Sequence, residues 1–266
     1  MRIATWNINS LRARTDRVLA FLERHQVDVL ALQEIKAKPA QLDLSVFESA
    51  GYETAAHGLN QWNGVAILSR VGLTDVQTEL PALPVWPADD SGVVEARSLG
   101  ATVGEGLRIW SLYVPNGREI DHPHYQYKLQ WLEALRAEGA RALAEDSQAR
   151  IALVGDFNVA PQDEDVWSME YFEGRTHVTE PERAAFRAVV EAGFADVVRP
   201  EHPGPGVYTY WDYQQLRFPK KEGMRIDFVL GSPALQSAVR GSFIDREERK
   251  GKGASDHAPV VVDLEF

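Results

Sequence analysis

Short, nearly continuous apolar segments alternate along the chain with segments whose apolar residues recur at helical spacing. This alternation limits the possible folds more than any other feature. RIATWNI, VDVLALQE, NGVAILSR, LRIWSLYVP, RIALVGDFN, GVYTYW, MRIDFVLGS, AVRGSFIDR and APVVVDLEF read as strands. Between them, Thr15 is placed to cap a helix carrying Val18, Leu19 and Leu22 on one face. Tyr125, Leu129 and Leu132 mark a long helix face running towards Glu145. Thr179 and Glu182 have capping-box spacing with Pro181 in the first turn, so another helix starts there. Strands alternating with amphipathic helices bury their apolar faces as α/β layers. Gly- and Pro-rich loops near 81–92 and 200–206 are too short to be linkers, and no fixed-period repeat is visible. A single domain over residues 1–266 is expected.

The strand exits are unusual. LVGDFNVAP, Leu153 to Pro161, pushes out Asp156 and Asn158 around Phe157, which is expected to pack inward. The first strand ends in Asn7 and Asn9, the second in Gln33 and Glu34, and LYVPNG supplies Tyr113 and Asn116. Asp227 sits in the otherwise apolar MRIDF, and Asp256 and His257 precede the last strand. Taken singly, Asn7 reads as a turn residue, Glu34 as a helix N-terminal acid, Asp256 as a cap and His257 as a satisfied histidine. Asp227 differs, because an acid in an apolar strand needs a buried partner. Taken together, an oxygen-rich set with one His suits hard-metal phosphoryl chemistry. No G-x-G-x-x-G follows the first strand, and P-loop, H-E-x-x-H and G-x-S-x-G motifs are absent. His122 and His124 in DHPHYQ read as structural or surface residues.

The chain has no Cys, so disulfides and thiolate metal sites are excluded. MRIATWNINS lacks the apolar core of a secretion signal, and no apolar run would span a bilayer; a cytoplasmic protein without membrane contact is expected. The formal charge of −11, taken alone, argues against a nucleic-acid partner. Basic residues nevertheless cluster: Arg12, Arg14 and Arg17; Lys36 and Lys38; Arg217, Lys220, Lys221 and Arg225; Arg246, Arg249, Lys250 and Lys252. Such clusters read as solvated surface unless they flank one site.

In order along the chain, TWNINSLRAR, LALQEIK, NGVAILSR, YVPNG, VGDFNVAP, RIDFVL and SDHAPV resemble the exonuclease III family of bacterial apurinic/apyrimidinic endonucleases. Its wider superfamily includes deoxyribonuclease I and inositol-phosphate phosphatases. The resemblance runs from Arg2 to Phe266. It implies an α/β four-layer sandwich, two packed mixed β-sheets flanked by helices, with strand-exit loops converging on one cleft. It implies Glu34 as the main ligand of Mg²⁺, with Mn²⁺ substituting. Asn7 and Asp256 would ligate directly or through water, and Asp156, Asn158 and His257 would belong to the same metal-binding set.

The resemblance also implies roles. Asp156 would orient or deprotonate the attacking water, and Asn158 would hold both. An unperturbed Asp, with a pKa of about 3.9, is a poor base at neutral pH, so either its pKa is raised or it positions the water. His257 would contact the phosphate, oriented by Asp227, and Tyr113 would bond a phosphate oxygen or the leaving group. Asn116 and Arg118 would approach the duplex backbone. Tyr210 and Trp211 would either wall a pocket for a flipped abasic sugar or serve only the core, with Met224 where some relatives carry Trp and others Leu. Lys220, Lys221 and Arg225 would add DNA contacts. The implied activity is that of a monomeric DNA repair hydrolase on double-stranded DNA with abasic sites or 3′ ends. It would cleave 5′ to abasic sites, degrade from 3′ ends and clean blocked 3′ ends. The alternatives are a phosphoesterase acting on RNA, phospholipid or inositol phosphate, and a non-catalytic binder of DNA ends. YVPNG and WNINSLRAR argue against the first, and the set Glu34, Asp156, Asn158 and His257 against the second.

Overall fold

The structure, a computed structural model, describes residues 1–87 and 92–266. Positions 88–91 of the expected 81–92 loop lie outside the described residues. One sheet is built from β1 (Arg2–Asn7), β2 (Val29–Gln33), β3 (Glu53–His57), β4 (Val65–Ser69), β11 (Val239–Ile244) and β12 (Val260–Leu264), in the order β11-β12-β1-β2-β4-β3. The other comprises β5 (Leu73–Gln77), β6 (Ser98–Val103), β7 (Leu107–Tyr113), β8 (Ile151–Asp156), β9 (Ala195–Asp196) and β10 (Asp227–Gly231), in the order β5-β6-β7-β8-β10-β9. Both repeat one pairing pattern. The central pairs, β1 with β2 and β7 with β8, are parallel, and every other neighbour is antiparallel. The repeat is one of topology, carried by no repeated sequence period.

Burial explains the layers. Ile3, Val29, Ala31, Ile67, Ile109, Val154, Val229 and Val262 pack between the sheets. Trp6, Leu30 and Leu32 face outward onto Phe21 and Leu22 of α1 (Thr15–His25). Trp110, Leu153, Phe157 and Phe228 face the opposite way, onto Trp131 of α2 (Pro123–Glu145) and Phe186 of α3 (Glu180–Glu191). The four-layer expectation holds.

Strand period fixes where the polar groups go. Successive side chains alternate faces. Ile3 and Thr5 point between the sheets, so Asn7 does too. By the same parity Ile109 carries Tyr113, Val154 carries Asp156, and Val229 carries Asp227. β1, β7 and β8 end where antiparallel β10 begins, so these residues share one edge of the inter-sheet space. Gly155 makes this possible: its φ is +141°, and a Cβ there would lie 1.9 Å from the Leu112 carbonyl oxygen.

Two local expectations need correction. Thr15 does not cap α1. It lies inside the first turn, where its hydroxyl donates to the Leu11 carbonyl at 3.0 Å, and no side chain caps that end. GVYTYW is not a strand. Tyr210 makes isolated bridges to Met224, before β10, and to His257, before β12, so the segment ties the two sheets together instead of extending either. The capping box of Thr179 and Glu182 does form. β3, β5 and β6 have no counterpart in the sequence reading because their residues are small or partly polar and give no apolar run.

The capping glutamate has a second task. Lys128 of α2 is fully buried and donates to Glu182 Oε1 at 2.5 Å, to the Asn158 carbonyl at 2.6 Å and to the Asn116 carbonyl at 3.2 Å. Burial pushes the Glu182 carboxyl up, but Lys128 outweighs it and holds the group at about 2. Lys128 itself stays below its ordinary value through burial. Glu182, with Asp156 further off, does not offset the complete desolvation of the Lys128 charge, whereas Glu182 itself also accepts from Thr176, His177 and Thr179. Removing Lys128 strands a buried carboxylate, so Lys128→Met is expected to cost about 3–5 kcal/mol in urea unfolding at pH 7. The stabilisation of the Glu182 carboxylate is present above its ordinary 4.5 and lost as pH falls towards about 2. The penalty of the variant should therefore shrink on acidification; a penalty independent of pH would contradict the ion pair's role.

Candidate active site

The shared edge carries a tight cluster of charge. His257 Nδ1 lies 2.8 Å from Asp227 Oδ2, and its Nε2 lies 3.8 Å from Asp156 Oδ2. Asn7 Nδ2 donates to Glu34 Oε1 at 2.8 Å and to Asp156 Oδ2 at 3.0 Å, bridging the two acids. Lys36 Nζ is 2.8 Å from Glu34 Oε2. One ligand atom each from Glu34, Asp156 and His257 lies within 4.8 Å of the others. The histidine is anchored through its main chain: Trp6 Nε1 donates to its carbonyl at 3.1 Å, and its N–H donates to Ser255 Oγ at 3.2 Å.

Proximity sets the protonation states. Burial, with Asp227 and Glu34 nearby, pushes the Asp156 carboxyl up to about 7 against the pull of His257. Burial opposes the His257 charge, but Asp227 and Asp156 outweigh it and raise the ring to about 10. At neutral pH the imidazole is thus a cation, with Nδ1–H on Asp227 and Nε2–H free to face a ligand. Burial would raise Glu34, yet Lys36 and Asn7 bring it below its ordinary value. The buried Tyr113 phenol is pushed far up, first by burial and then by Glu34, and stays a donor. The site therefore holds an anion, an acid–base carboxyl near neutrality, and two proton donors.

These residues fit a hard divalent cation. The donor atoms are the carboxylate oxygens of Glu34 and Asp156, beside the protonated His257, and Asp227 Oδ1 is buried with no hydrogen-bond partner among the described residues.

Asn7 enters through its amide nitrogen, while its oxygen accepts from the Asn9 N–H at 3.1 Å. Asp256 stands beside the cluster, half-buried, accepting from Asn9 Nδ2 at 3.0 Å. Asn158 grips Asp156 through its main-chain N–H at 2.9 Å, not through its side chain, which is occupied by Val114, Asn116 and His177. Arg118 is exposed, and its guanidinium lies 3.2 Å from His122 Nε2.

A cavity of about 750 Å³ opens beside the cluster. Tyr210, whose ring centroid is 4.9 Å from that of His257, lines it together with Met224. Trp211 does not: it is 2% exposed and packs edge-on against Phe218 at 5.2 Å. Trp167 and Tyr171 form the aromatic wall instead, with the Arg217 guanidinium 4.7 Å and 4.6 Å from their ring centroids. Arg225 is also misplaced as a DNA contact. It is 2% exposed and held by Asp165 at 2.7 Å and Asp196 at 2.5 Å. Several other cluster arginines serve the framework: Arg14 bonds the Ile8 carbonyl, Arg17 bonds Glu248, and Arg249 bonds the Trp211 carbonyl. Lys220 and Lys221 remain exposed at the end of α4 (Arg217–Lys220). His177, Trp167 and Tyr171 were invisible in the sequence, since no spacing marks residues that meet only after folding.

A family model described as the Endonuclease/Exonuclease/phosphatase family matches residues 4–257. An exodeoxyribonuclease of Bacillus subtilis (strain 168) is 29% identical over 263 residues, covering 98% of both chains. Among solved structures, the 3′ phosphatase NExo from Neisseria, bound to a product DNA hairpin, is similar with a TM-score of 0.92 and 34% identity, covering 100% of both chains. An AP endonuclease from Archaeoglobus fulgidus gives a TM-score of 0.91 and 33% identity, again covering 100% of both chains.

A carboxyl raised from 3.8 to about 7 destabilises the metal-free fold wherever it must be ionised. The cost is absent well below the unfolded value and complete above the folded one. Asp156→Asn is accordingly expected to stabilise the metal-free protein at pH 8, on the order of a few kcal/mol, with the gain vanishing near pH 4. Urea unfolding at the two pH values checks this; destabilisation at pH 8 would refute the assigned crowding.

Proposed function

The chain belongs to the endonuclease/exonuclease/phosphatase family, and from that premise we propose that it is a divalent-metal-dependent DNA repair phosphoesterase working on the 3′ ends of duplex DNA. The convergence of Glu34, Asp156 and His257 on one point carries the proposal. The names of the similar proteins support the DNA substrate and the 3′-end chemistry. A phosphoester is anionic and repels a nucleophile, so hydrolysis needs charge stabilisation and a positioned water.

Glu34, with Asp256 and other oxygens of the cluster directly or through water, would hold Mg²⁺, for which Mn²⁺ substitutes. The bound ion supplies Lewis-acid stabilisation of charge on the phosphoryl oxygens. Asp156, poised near neutrality, accepts the proton of a water that adds to phosphorus. His257 donates from Nε2 to a non-bridging oxygen, with Asp227 keeping the ring protonated and aimed. The P–O bond to the leaving oxygen then breaks, and the Tyr113 phenol donates a hydrogen bond to that oxygen. Trp167, Tyr171 and Tyr210 offer flat faces on which a terminal nucleotide can stack.

A second activity of the same centre, incision 5′ to abasic sites, is favoured by the likeness to the archaeal AP endonuclease. A cavity beside the carboxylates can accept an extruded sugar, which costs less to flip when its base is missing.

Three duplexes test the proposal: one with a 3′-phosphate, one with a recessed 3′ end and one with an abasic site, each with Mg²⁺ and with EDTA. Cleavage abolished by EDTA is expected, with the 3′-substituted duplexes turned over fastest. Inactivity on all three, or activity indifferent to EDTA, would reject it. His257→Gln should lower kcat about 10²–10³-fold, as removal of a preorganised donor does. Alanine at both Lys220 and Lys221 should reduce the salt dependence of DNA binding by roughly one unit of slope for each phosphate that a lysine neutralises.

A further inference from the structure

We infer that His177 is a positioning residue that locks Asn158 as a hydrogen-bond donor towards the phosphoryl group, an inference that rests on the phosphoesterase reading above. The orientation of Asn158 follows from two main-chain groups whose roles have no alternative. The Val114 carbonyl oxygen can only accept, and it lies 2.9 Å from Asn158 Nδ2. The Arg118 N–H can only donate, and it lies 3.1 Å from Asn116 Oδ1. The first contact fixes the Asn158 amide with its oxygen away from Val114. The second turns Asn116 Nδ2 inward. Asn158 Oδ1 then receives Asn116 Nδ2 and His177 Nε2, each at 3.2 Å.

Counting valences completes the assignment. An amide oxygen accepts at two positions, and a neutral imidazole carries one N–H. His177 Nε2 also lies 3.3 Å from Asn116 Nδ2, but that amide nitrogen already donates to Asn158 Oδ1, and Asn158 Oδ1 can only accept, so the shorter contact at Nε2 places the imidazole proton there. Asn158 has no oxygen left for a cation, and it leaves the ligand set that the family resemblance implied for it. Its remaining valence is one N–H, which joins Tyr113 and His257 as a donor to negative charge.

His177 is well held for this task. Its N–H donates to Glu182 Oε1 at 2.9 Å, and its carbonyl accepts from the Ala160 N–H at 2.8 Å. Its φ of +83° is a conformation that residues with a β-carbon rarely adopt. The buried Lys128–Glu182 pair thus fixes the backbone, the backbone fixes the ring, and the ring fixes the amide.

Long-range ¹H–¹⁵N spectra of labelled protein at neutral pH test the tautomer without any turnover. The neutral Nε2–H form of His177 is expected; an Nδ1–H form would overturn the inference. Kinetics supply the second measurement, on a duplex with a 3′-phosphate and Mg²⁺. His177→Leu removes the donor and should lower kcat about 10-fold or more at nearly unchanged KM. His177→Gln supplies an amide donor and should recover most of that loss. Equal losses in both variants, or a change confined to KM, would reduce His177 to a structural residue. Wild-type protein inactive on every phosphoester would instead reject the phosphoesterase reading, and the tautomer measurement would still stand.

Discussion

The structure depends on keeping three carboxylates together between two sheets. Glu34, Asp156 and Asp227 would separate if left to their own repulsion. Each stands at the edge of a strand whose apolar residues pack the inter-sheet core, so the repulsion is borne by burial elsewhere. What makes the crowding tolerable is equally local. Asn7 bridges two of the acids, Lys36 offsets one, and the His257 cation faces the other two. The remaining imbalance is visible as the raised Asp156. Chemistry and strain have the same origin: a carboxyl that dislikes its charge is one that accepts a proton near neutrality.

The backbone carries a related strain. Asn9, Ser10, Glu34, Lys36, Arg118, Asn158 and His177 all have positive φ without being glycine. Such conformations cost on the order of 1 kcal/mol or more each and persist where surrounding structure enforces them. Asn9, Ser10, Glu34, Lys36 and Asn158 sit at strand exits, where a left-handed residue turns the chain sharply enough to aim side chains back over the sheet edge; Arg118 and His177 lie in loops beside them. The enforcing contacts are main-chain: Ser10 and Leu11 donate to the Glu34 and Ile35 carbonyls, and Ile35 and Lys36 donate to those of Gly64 and Asn63. The loops are thereby laced to one another, and the cluster inherits the rigidity of both sheets.

What could be seen in the sequence follows from this construction. Strand parity and strand exits are local, so Asp156, Asp227, Glu34 and His257 could be picked out as a set before any coordinate was known. The layered α/β class was legible for the same reason. The side on which Trp211 points was not, because its neighbour Tyr210 has the same aromatic character and GVYTYW has no strand register to separate them. Arg225 was misassigned because its partners are distant in sequence: Asp196 becomes a neighbour only when β9 joins β10, and Asp165 only when its carbonyl accepts the Arg225 N–H. His177 gave no signal at all: its place is set by the capping glutamate and a buried lysine in another helix, contacts with no sequence spacing to betray them.

The same logic dissolves the conflict between a net charge of −11 and an anionic substrate. A sum over residues counts His257 as neutral, yet Asp227 keeps it charged at the point where phosphate would lie. It counts Arg14, Arg17, Arg225 and Arg249 as available, yet these are bonded within the framework. The positive charge inside this cluster is therefore made by pairing, not by composition. A surface acidic overall repels DNA at a distance and leaves recognition to close-range contacts, which on the proposed function would come from the His257 cation, the Tyr113 phenol and the Asn158 amide.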